Sequence, residues 1–347
     1  MNFAAVGRQR PAGCLTRCIG DQITNMQTLN HIAIWGVGAM GSLFSGYLSA
    51  VAPVTMVGNW QEQIDAVRRK GLTIHHGNGR ASRFFPAMTR QATELPAIDL
   101  AFVLVKSHQT PHIAAHIARV LNPGGVVITL QNGVGNVDAL TRAVGAERAT
   151  QGVTAQGATM LGPGEVRHAG TGPTHIALLP ARAALIEDSI ALLNQAGIET
   201  TATDSADSLM WGKLAVNAGL NPLTALLEVP NGGLLETPQR TRFMVAAARE
   251  VEAVAAALGI VLPYRDVATH VMNVAQMTGH NISSMLQDVR RHVPTEIDAI
   301  CGAVVQHGVQ LKIQTPVNAA LLHLIQAKEQ GHPPTPAEVY RLLSQVA

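Results

Sequence analysis

The chain has 347 residues, of which 47% are apolar and 14% charged, which excludes a largely disordered protein and suits two domains of about 150 residues each. Its 25 basic residues nearly balance its 23 acidic ones, so nothing in its charge points to nucleic acid or an anionic membrane as the partner. Three cysteines exclude a disulfide framework, and the apolar runs are too short to cross a bilayer, so we expect a cytoplasmic enzyme that acts on a small molecule.

The first 30 residues have no periodicity, and we expect residues 1–30 to form a disordered extension. From 31 to 203, short apolar runs alternate with helical patterns, as in a parallel sheet covered on both faces. The predicted strands are Ile32–Trp35, Val54–Val57, 100–105 and 126–130, and a glycine-rich hairpin is predicted over 164–178. The fold class is therefore α/β, and residues 31–203 are predicted to form a Rossmann-type dinucleotide-binding domain.

The texture changes at residue 204, after which helical spacing prevails and strand signals almost vanish. We predict that 204–347 forms an all-helical domain that binds substrate and carries the catalytic residue. Its predicted helices are 206–220, 240–258, 264–277, 283–292, 295–309 and 316–330.

A phosphate-binding loop is predicted at the end of the first strand, where the chain reads Gly36-Val37-Gly38-Ala39-Met40-Gly41 and then enters a helix. The first glycine permits a tight turn, the second lets the backbone approach a pyrophosphate, and the third allows the helix to pack closely. A bare glycine turn is the alternative, but the position on the first strand of an alternating pattern favours cofactor binding.

The choice of cofactor depends on the end of the second strand, where Gly58 and Asn59 follow. An NAD site normally has an acid there to hold the ribose hydroxyls, and none is present. NADPH is therefore favoured, although no arginine stands at that turn either. Arg68 and Arg69, further along the next helix, are candidates to reach a 2′-phosphate, or simply solvated charges.

Polar residues end two further strands. Lys106 follows the strand at 100–105, and Asn132 follows the strand at 126–130, both on the rim where ligands of open α/β sheets bind. The alternatives are a lysine that simply extends to solvent and an ordinary Asn-Gly turn. Three histidines, His108, His112 and His116, are spaced by four residues but lack any carboxylate or cysteine, so we expect a solvated helix face and no metal.

A polar stripe is predicted in the helical half. Lys213, Asn217 and Asn221 are four residues apart, so one helix stacks them on one face, while apolar residues occupy the others. Buried without partners these groups would be costly, so the stripe is either an exposed face or the lining of a cleft for a polar substrate. Ser284 and Glu296 stand at predicted helix starts, where a cap and an acid are expected whatever the function.

Together these segments resemble the 2-dehydropantoate 2-reductase (ketopantoate reductase) family from about residue 31 onward. The matching words are Gly-Val-Gly-Ala-Met-Gly, Val-Lys-Ser-His-Gln-Thr, Gln-Asn-Gly-Val-Gly-Asn, Trp-Gly-Lys-Leu-Ala-Val-Asn-Ala-Gly-Leu-Asn-Pro-Leu-Thr-Ala-Leu, Asn-Ile-Ser-Ser-Met-Leu-Gln-Asp and Pro-Thr-Glu-Ile-Asp-Ala-Ile-Cys-Gly. The last three are long, correctly ordered and specific.

The resemblance implies NADPH-dependent reduction of 2-dehydropantoate to (R)-pantoate, for the synthesis of pantothenate and coenzyme A. It implies Lys213 as the proton donor. It also implies substrate contacts by Asn217, Asn221, Asn231 and Ser284, and cofactor contacts by Lys106, Asn132, Ala158 and Glu296, with Asn132 near the substrate as well. The family's arginine for the 2′-phosphate is Asn59 here, which predicts a weaker preference for NADPH.

Two alternatives stay open from the sequence. One is a related two-domain dehydrogenase acting on another 2-keto or 3-hydroxy acid, because such relatives can share the Lys213 and Asn217 pair. The other is a protein that senses NADPH without turnover, which we would expect to have lost Lys213 or the asparagines. A homodimer is compatible with the sequence, which does not fix the oligomeric state.

Overall fold

The computed structural model of the protein describes Leu29 and residues 31–347. The extension expected at residues 1–30 lies outside the described residues, apart from Leu29. We call residues 31–203 the sheet half and residues 204–347 the helical half.

The sheet half contains twelve strands, of which the first and second have the predicted bounds. The strands are β1 (Ile32–Trp35), β2 (Val54–Val57), β3 (Leu72–His75), β4 (Ala81–Phe84), β5 (Ala87–Thr89), β6 (Ile98–Val103), β7 (Leu121–Thr129), β8 (Ala149–Thr154), β9 (Gly157–Gly162), β10 (Glu165–Gly170), β11 (Thr174–Ala177) and β12 (Thr200–Thr203). The helices of this half are α1 (Ala39–Ser49), α2 (Gln61–Lys70), α3 (Thr110–Val120), α4 (Asn136–Val144) and α5 (Ala183–Gln195). The strand predicted at 100–105 lies two residues earlier in the chain, and the strand predicted at 126–130 begins five residues earlier and ends one residue earlier, at Thr129.

Eight of the strands form the main sheet, in the order β12-β11-β8-β7-β6-β1-β2-β5. From β8 to β5 neighbouring strands are parallel, and β11 pairs antiparallel with β8. Successive side chains of β1 point to opposite faces: Ile32 and Ile34 pack in the core shared with α1 and α5, whereas Ala33 and Trp35 pack in the core shared with α3 and α4. Because both faces are covered, the strand is apolar throughout, which explains why its bounds could be predicted.

The predicted hairpin at 164–178 is wrong in its pairing. β10 pairs antiparallel with β9 around a turn at Gly164 (φ +79°), and both belong to a smaller sheet of order β4-β3-β10-β9. The chain then crosses to the main sheet, where β11 pairs with β8. The physical reason is that the two strands serve different cores: Val166 packs beneath the small sheet, whereas Ile176 packs beneath the main one.

The helical half follows a short link after β12. Its helices are α6 (Ala206–Leu227), α7 (Pro238–Ala257), α8 (Val267–Met277), α9 (Ser284–Arg290), α10 (Ala303–Leu311), α11 (Pro316–Glu329) and α12 (Pro336–Val346). A π-helical turn, Asp298–Gly302, leads into α10. Within the described residues, no helix is both long and apolar enough to span a membrane. The predicted α/β fold with a helical C-terminal part is confirmed.

Candidate active site

The predicted functional residues of the sheet half gather at one edge of the main sheet. Because β1, β2, β6, β7 and β8 are parallel, their carboxyl ends meet at that edge. Gly36 follows β1 directly, Lys106 comes three residues after β6, and Asn132 comes three residues after β7. The helical half contributes α6, α9 and the π-helical turn to the same place through the contacts described below.

The glycine loop has the geometry that a dinucleotide pyrophosphate requires. Gly36 has φ +128°, and a Cβ there would lie 2.6 Å from Leu104 O, so no other residue fits without displacing the strand end. A Cβ on Gly41 would lie 1.9 Å from Gly36 O, which shows how tightly α1 packs on the loop. At Gly38 a Cβ would meet nothing within 4 Å. Gly38 is the N-cap residue of α1, and no side chain caps that helix. Free helical N–H groups therefore face open space, as an anion site needs.

The side chains beside the end of β2 only partly match the prediction. Asn59 is exposed and lies just before α2. Arg68 donates a hydrogen bond to Met88 O on β5 (2.9 Å), and Arg69 donates to Asp65 O in its own helix (3.1 Å). Both candidate arginines are therefore engaged with backbone carbonyls.

Two carboxylates of the helical half meet one ammonium of the sheet half. Lys106 Nζ lies 2.5 Å from Asp288 Oδ2 and 3.9 Å from Glu296 Oε2. Both acids are buried, and desolvation raises the pKa of Asp288 although Lys106 opposes that shift. Sequence reasoning missed Asp288, because its partner lies 182 residues away in the chain.

Glu296 is also bound by uncharged groups of the sheet half. Asn132 Nδ2 donates to its Oε2 at 3.1 Å, and Ser107 Oγ lies 3.2 Å from its Oε1. Glu296 directly precedes the helical turn, where its own carbonyl accepts from Ile300 N (3.0 Å), so the acid stands one step before the predicted first turn.

The loop that carries Asn132 packs directly on the helical half. Gly133 has φ +79°, and a Cβ there would lie 2.4 Å from Ala299 O in the π-helical turn. Val134 N donates to the same carbonyl at 3.3 Å. Asn136 Nδ2 donates to Asn132 O (3.0 Å) and thereby fixes the backbone of the loop. The Asn-Gly pair is thus a site where two backbones approach closely as well as a turn.

Lys213 lies on α6 opposite the end of β8. Its Nζ donates a hydrogen bond of 2.8 Å to the backbone oxygen of Thr154, which is the last residue of that strand. Surrounding protein displaces most of the hydration of the ammonium, which lowers the pKa of Lys213 to about 8, and the negative charge of Glu296 partly opposes this. The pKa of Lys213 therefore lies closer to neutral pH than that of an exposed lysine, a property that suits a general acid.

The asparagines of the stripe follow Lys213 along α6. The helical rise of 1.5 Å per residue places Asn221 about 12 Å from Lys213 along the axis. Asn221 is buried and Asn217 half-buried, and within the described residues neither side-chain amide hydrogen-bonds a protein group. Neither amide belongs to the fully enclosed polar atoms, so both reach open space from residues that are otherwise largely covered, which favours the cleft interpretation over the exposed face.

Asn231 begins a 3₁₀ segment, Asn231–Leu235, that packs against α6 and α8. Its Nδ2 donates to Thr278 Oγ1 (2.8 Å), whereas its Oδ1 is buried without a partner among the described residues. An acceptor in that state suits a ligand hydroxyl.

The remaining predicted residues occupy the margins of the site. Ser284 is exposed at the start of α9, and the cap of that helix is its neighbour Ser283, which accepts from Leu286 N (3.1 Å). Ala158 lies on β9, packed against the core cluster that contains Val37 of the glycine loop.

The chain matches families of known proteins over nearly all its described length. The family described as ketopantoate reductase PanE/ApbA matches residues 32–181, and its C-terminal part matches residues 205–329. A 2-dehydropantoate 2-reductase from Halobacterium salinarum is 35% identical over 302 residues, which are 86% of this chain and 99% of that protein.

Two solved structures have the same fold. The crystal structure of a PanE/ApbA family ketopantoate reductase from Ralstonia eutropha JMP134 has a TM-score of 0.80 at 29% identity, over 87% of this chain and 99% of that one. The ternary structure of D-mandelate dehydrogenase with NADH and anilino(oxo)acetate has a TM-score of 0.82 at 27% identity, with the same shares covered.

Burial lowers the pKa of Lys213, and the negative charge of Glu296 partly opposes that shift. We expect Glu296→Gln to lower the pKa of Lys213 below its value of about 8, because the substitution removes a negative charge that raises it. The measurement is the pH dependence of acetylation of Lys213 in the ligand-free protein, followed by peptide mass spectrometry. The matched control is Glu199→Gln, an exposed acid just before β12. An unchanged midpoint in Glu296→Gln would contradict the coupling.

Proposed function

This chain belongs to the ketopantoate reductase family, and from that premise we propose that it reduces the 2-ketone of 2-dehydropantoate to (R)-pantoate with NADPH, in the synthesis of pantothenate and coenzyme A. The observation that carries the proposal is the position of Lys213. Its ammonium has a pKa of about 8 and lies on a rigid helix at the carboxyl edge of the sheet, the edge that also holds the glycine loop.

The residues present fit a nicotinamide dinucleotide. Gly38 leaves open space in front of the free N–H groups of α1. Asn59 is uncharged, so it does not repel a 2′-phosphate as an acid at that position would. By the family resemblance, Lys106, Asn132, Ala158 and Glu296 complete the cofactor side of the cleft. A bound NADPH supplies the hydride that reaches the ketone carbon.

Lys213 acts on the ketone oxygen. As the carbon gains a hydride, the oxygen gains negative charge and needs a proton, which the ammonium donates to form the alcohol. The hydrogen bond from Lys213 Nζ to Thr154 O uses one of its three N–H groups and orients the other two. Glu296 keeps a larger fraction of Lys213 protonated than burial alone would allow.

The asparagines bind the rest of the substrate. Among the residues that the structure describes, the side-chain amides of Asn217 and Asn221 have no protein partner, and neither has Oδ1 of Asn231. Such groups bind a carboxylate and hydroxyls without adding a fixed charge, which suits a small polar 2-keto acid. Ser284 is the fourth proposed substrate contact.

A second candidate is reduction of a different 2-keto acid. The similarity to D-mandelate dehydrogenase, solved with NADH and anilino(oxo)acetate, favours it. The amide lining argues for the more polar substrate, because an aryl group would leave the amides of Asn217 and Asn221 buried and unpaired.

Steady-state kinetics of the purified protein test the function. We expect kcat/KM to be highest with 2-dehydropantoate and NADPH among a panel that includes phenylglyoxylate, 2-ketoisovalerate and pyruvate, each assayed with both nucleotides. A higher kcat/KM with phenylglyoxylate would replace the first candidate by the second. Nucleotide binding without turnover of any keto acid would favour a sensing protein.

The role of Lys213 is tested by two substitutions. We expect Lys213→Ala to lower kcat by about 10² or more, the usual contribution of a general acid, while NADPH still binds. Lys213→Arg keeps the charge but holds its proton too tightly to donate it, so it should also lose most of the activity.

The pH profile provides a second readout. Because the protonated amine is required, kcat/KM of the unmodified enzyme should be constant below about pH 8 and fall as the pH rises above it. Turnover close to that of the unmodified enzyme in Lys213→Ala would remove Lys213 from the mechanism.

The stripe is tested by Asn217→Ala and Asn221→Ala. Each should weaken transition-state binding by roughly 1–3 kcal/mol, the cost of a lost buried hydrogen bond, as measured by kcat/KM. NADPH affinity measured without substrate serves as the internal control and should change little. A large loss of NADPH affinity with unchanged substrate kinetics would show that the stripe faces the cofactor instead.

A further inference from the structure

The end of β2 has a neighbour that the sequence does not reveal. β5 runs parallel to β2 at the edge of the main sheet, with Val57 beside Thr89, and Gly58 N donates to Thr89 O at 3.2 Å. The next residues of both strands therefore leave the sheet side by side. On one chain segment these residues are Gly58 and then Asn59, and on the other the first residue is Arg90.

Arg90 is oriented toward the start of α2. Its Nη1 donates to Gln61 Oε1 at 2.9 Å, and Gln61 Nε2 in turn donates to Asp65 Oδ1 at 2.9 Å, which fixes the amide oxygen toward the arginine. Gln61 is the first residue of α2, and the residue before it, Trp60, gives no side-chain cap. The guanidinium is thus hydrogen-bonded to the first residue of a helix that has no side-chain cap, and a guanidinium and uncapped helical N–H groups both favour an anion, although Glu62 places one acid in the same turn.

Arg90 also keeps its charge available. It is exposed, and within the described residues no carboxylate oxygen lies within ion-pairing distance of it. Arg68 differs, because its guanidinium donates to Met88 O on the open side of the edge strand, and Arg69 is held by its own helix. Of the three arginines, Arg90 is the one that comes directly after a strand paired with β2.

We propose that Arg90 is a specificity-determining residue that binds the 2′-phosphate of NADPH, supplying from the edge strand the charge that Asn59 lacks. In a Rossmann-type site the adenine ribose lies at the end of the second strand, where an acid selects NAD and an arginine accommodates the 2′-phosphate. A guanidinium makes charge-assisted, bidentate hydrogen bonds to phosphate, and the Asn59 amide adds a neutral one. The proposal rests on the proposed use of NADPH.

The test measures nucleotide binding by calorimetry, without substrate and at low ionic strength. The titrants are 2′,5′-ADP and 5′-AMP, followed by NADPH and NADH. We expect Arg90→Gln to raise Kd for 2′,5′-ADP and for NADPH about tenfold, which corresponds to about 1.4 kcal/mol, and to leave 5′-AMP and NADH unchanged. The matched control is Arg69→Gln, which removes the same charge from the exposed surface of α2. It should alter neither the ratio of Kd for 2′,5′-ADP to Kd for 5′-AMP nor the ratio of Kd for NADPH to Kd for NADH.

The outcomes separate this proposal from the wider one. If the unmodified protein prefers NADPH and Arg90→Gln keeps that preference, or if Arg69→Gln loses it equally, Arg90 does not hold the phosphate and the reductase proposal stands. If the unmodified protein binds NADH as tightly as NADPH, the weaker preference for NADPH expected from Asn59 is correct and the proposed role of Arg90 is wrong. If it binds no dinucleotide, the proposed function fails and Arg90 fails with it.

Discussion

Two buried carboxyl groups, Asp288 and Glu296, are compensated mainly by groups of the other half of the molecule. Carboxylates removed from water need a counter-charge or hydrogen-bond donors, and both are supplied across the cleft by Lys106, Asn132 and Ser107. Polar contacts at the site itself therefore help to hold the sheet half against the helical half, together with the packing of Val134 on the helical core. At Gly133 the two backbones approach so closely that a Cβ would lie 2.4 Å from Ala299 O, which excludes a bulkier residue there.

The same carboxylates determine the electrostatic character of the cleft. Two basic side chains, Lys106 and Lys213, face two acidic ones, Asp288 and Glu296, so basic and acidic groups are equal in number among these residues. On the proposed function, an incoming keto acid adds a negative charge beside Lys213 and stabilises its ammonium form. Binding of substrate then strengthens the acid form that the reaction needs. Uncharged asparagines complete this arrangement, since a third fixed cation would lower the proton affinity of Lys213 further.

Much of the fold followed from the sequence where local pattern and burial agree. The strands β1 and β2 are buried on both faces, so their apolar runs begin and end with the strands themselves. The small sheet escaped prediction because β4 reads Ala-Ser-Arg-Phe, half exposed, and is held by a partner rather than by its own pattern. The helix α12 was also missed, although Thr335 and Glu338 form a capping box with a proline between them that the sequence displays. In the site, the stripe on α6 could be predicted from its period, whereas Asp288 and Arg90 could not, because strand order and interdomain pairing bring them into place.

The eight-stranded sheet has a consequence for how such a protein can diverge. The groups beside the proposed 2′-phosphate position belong to β2 and β5 at one edge, whereas Lys213 meets β8 near the other side of the strand order. On the proposed function, mutations at the edge strand can therefore change the nucleotide preference without altering the residues around Lys213. Because β5 has just three residues and a single strand neighbour, it also tolerates such change at little cost to the core. The reaction chemistry and the nucleotide preference can therefore change independently in evolution.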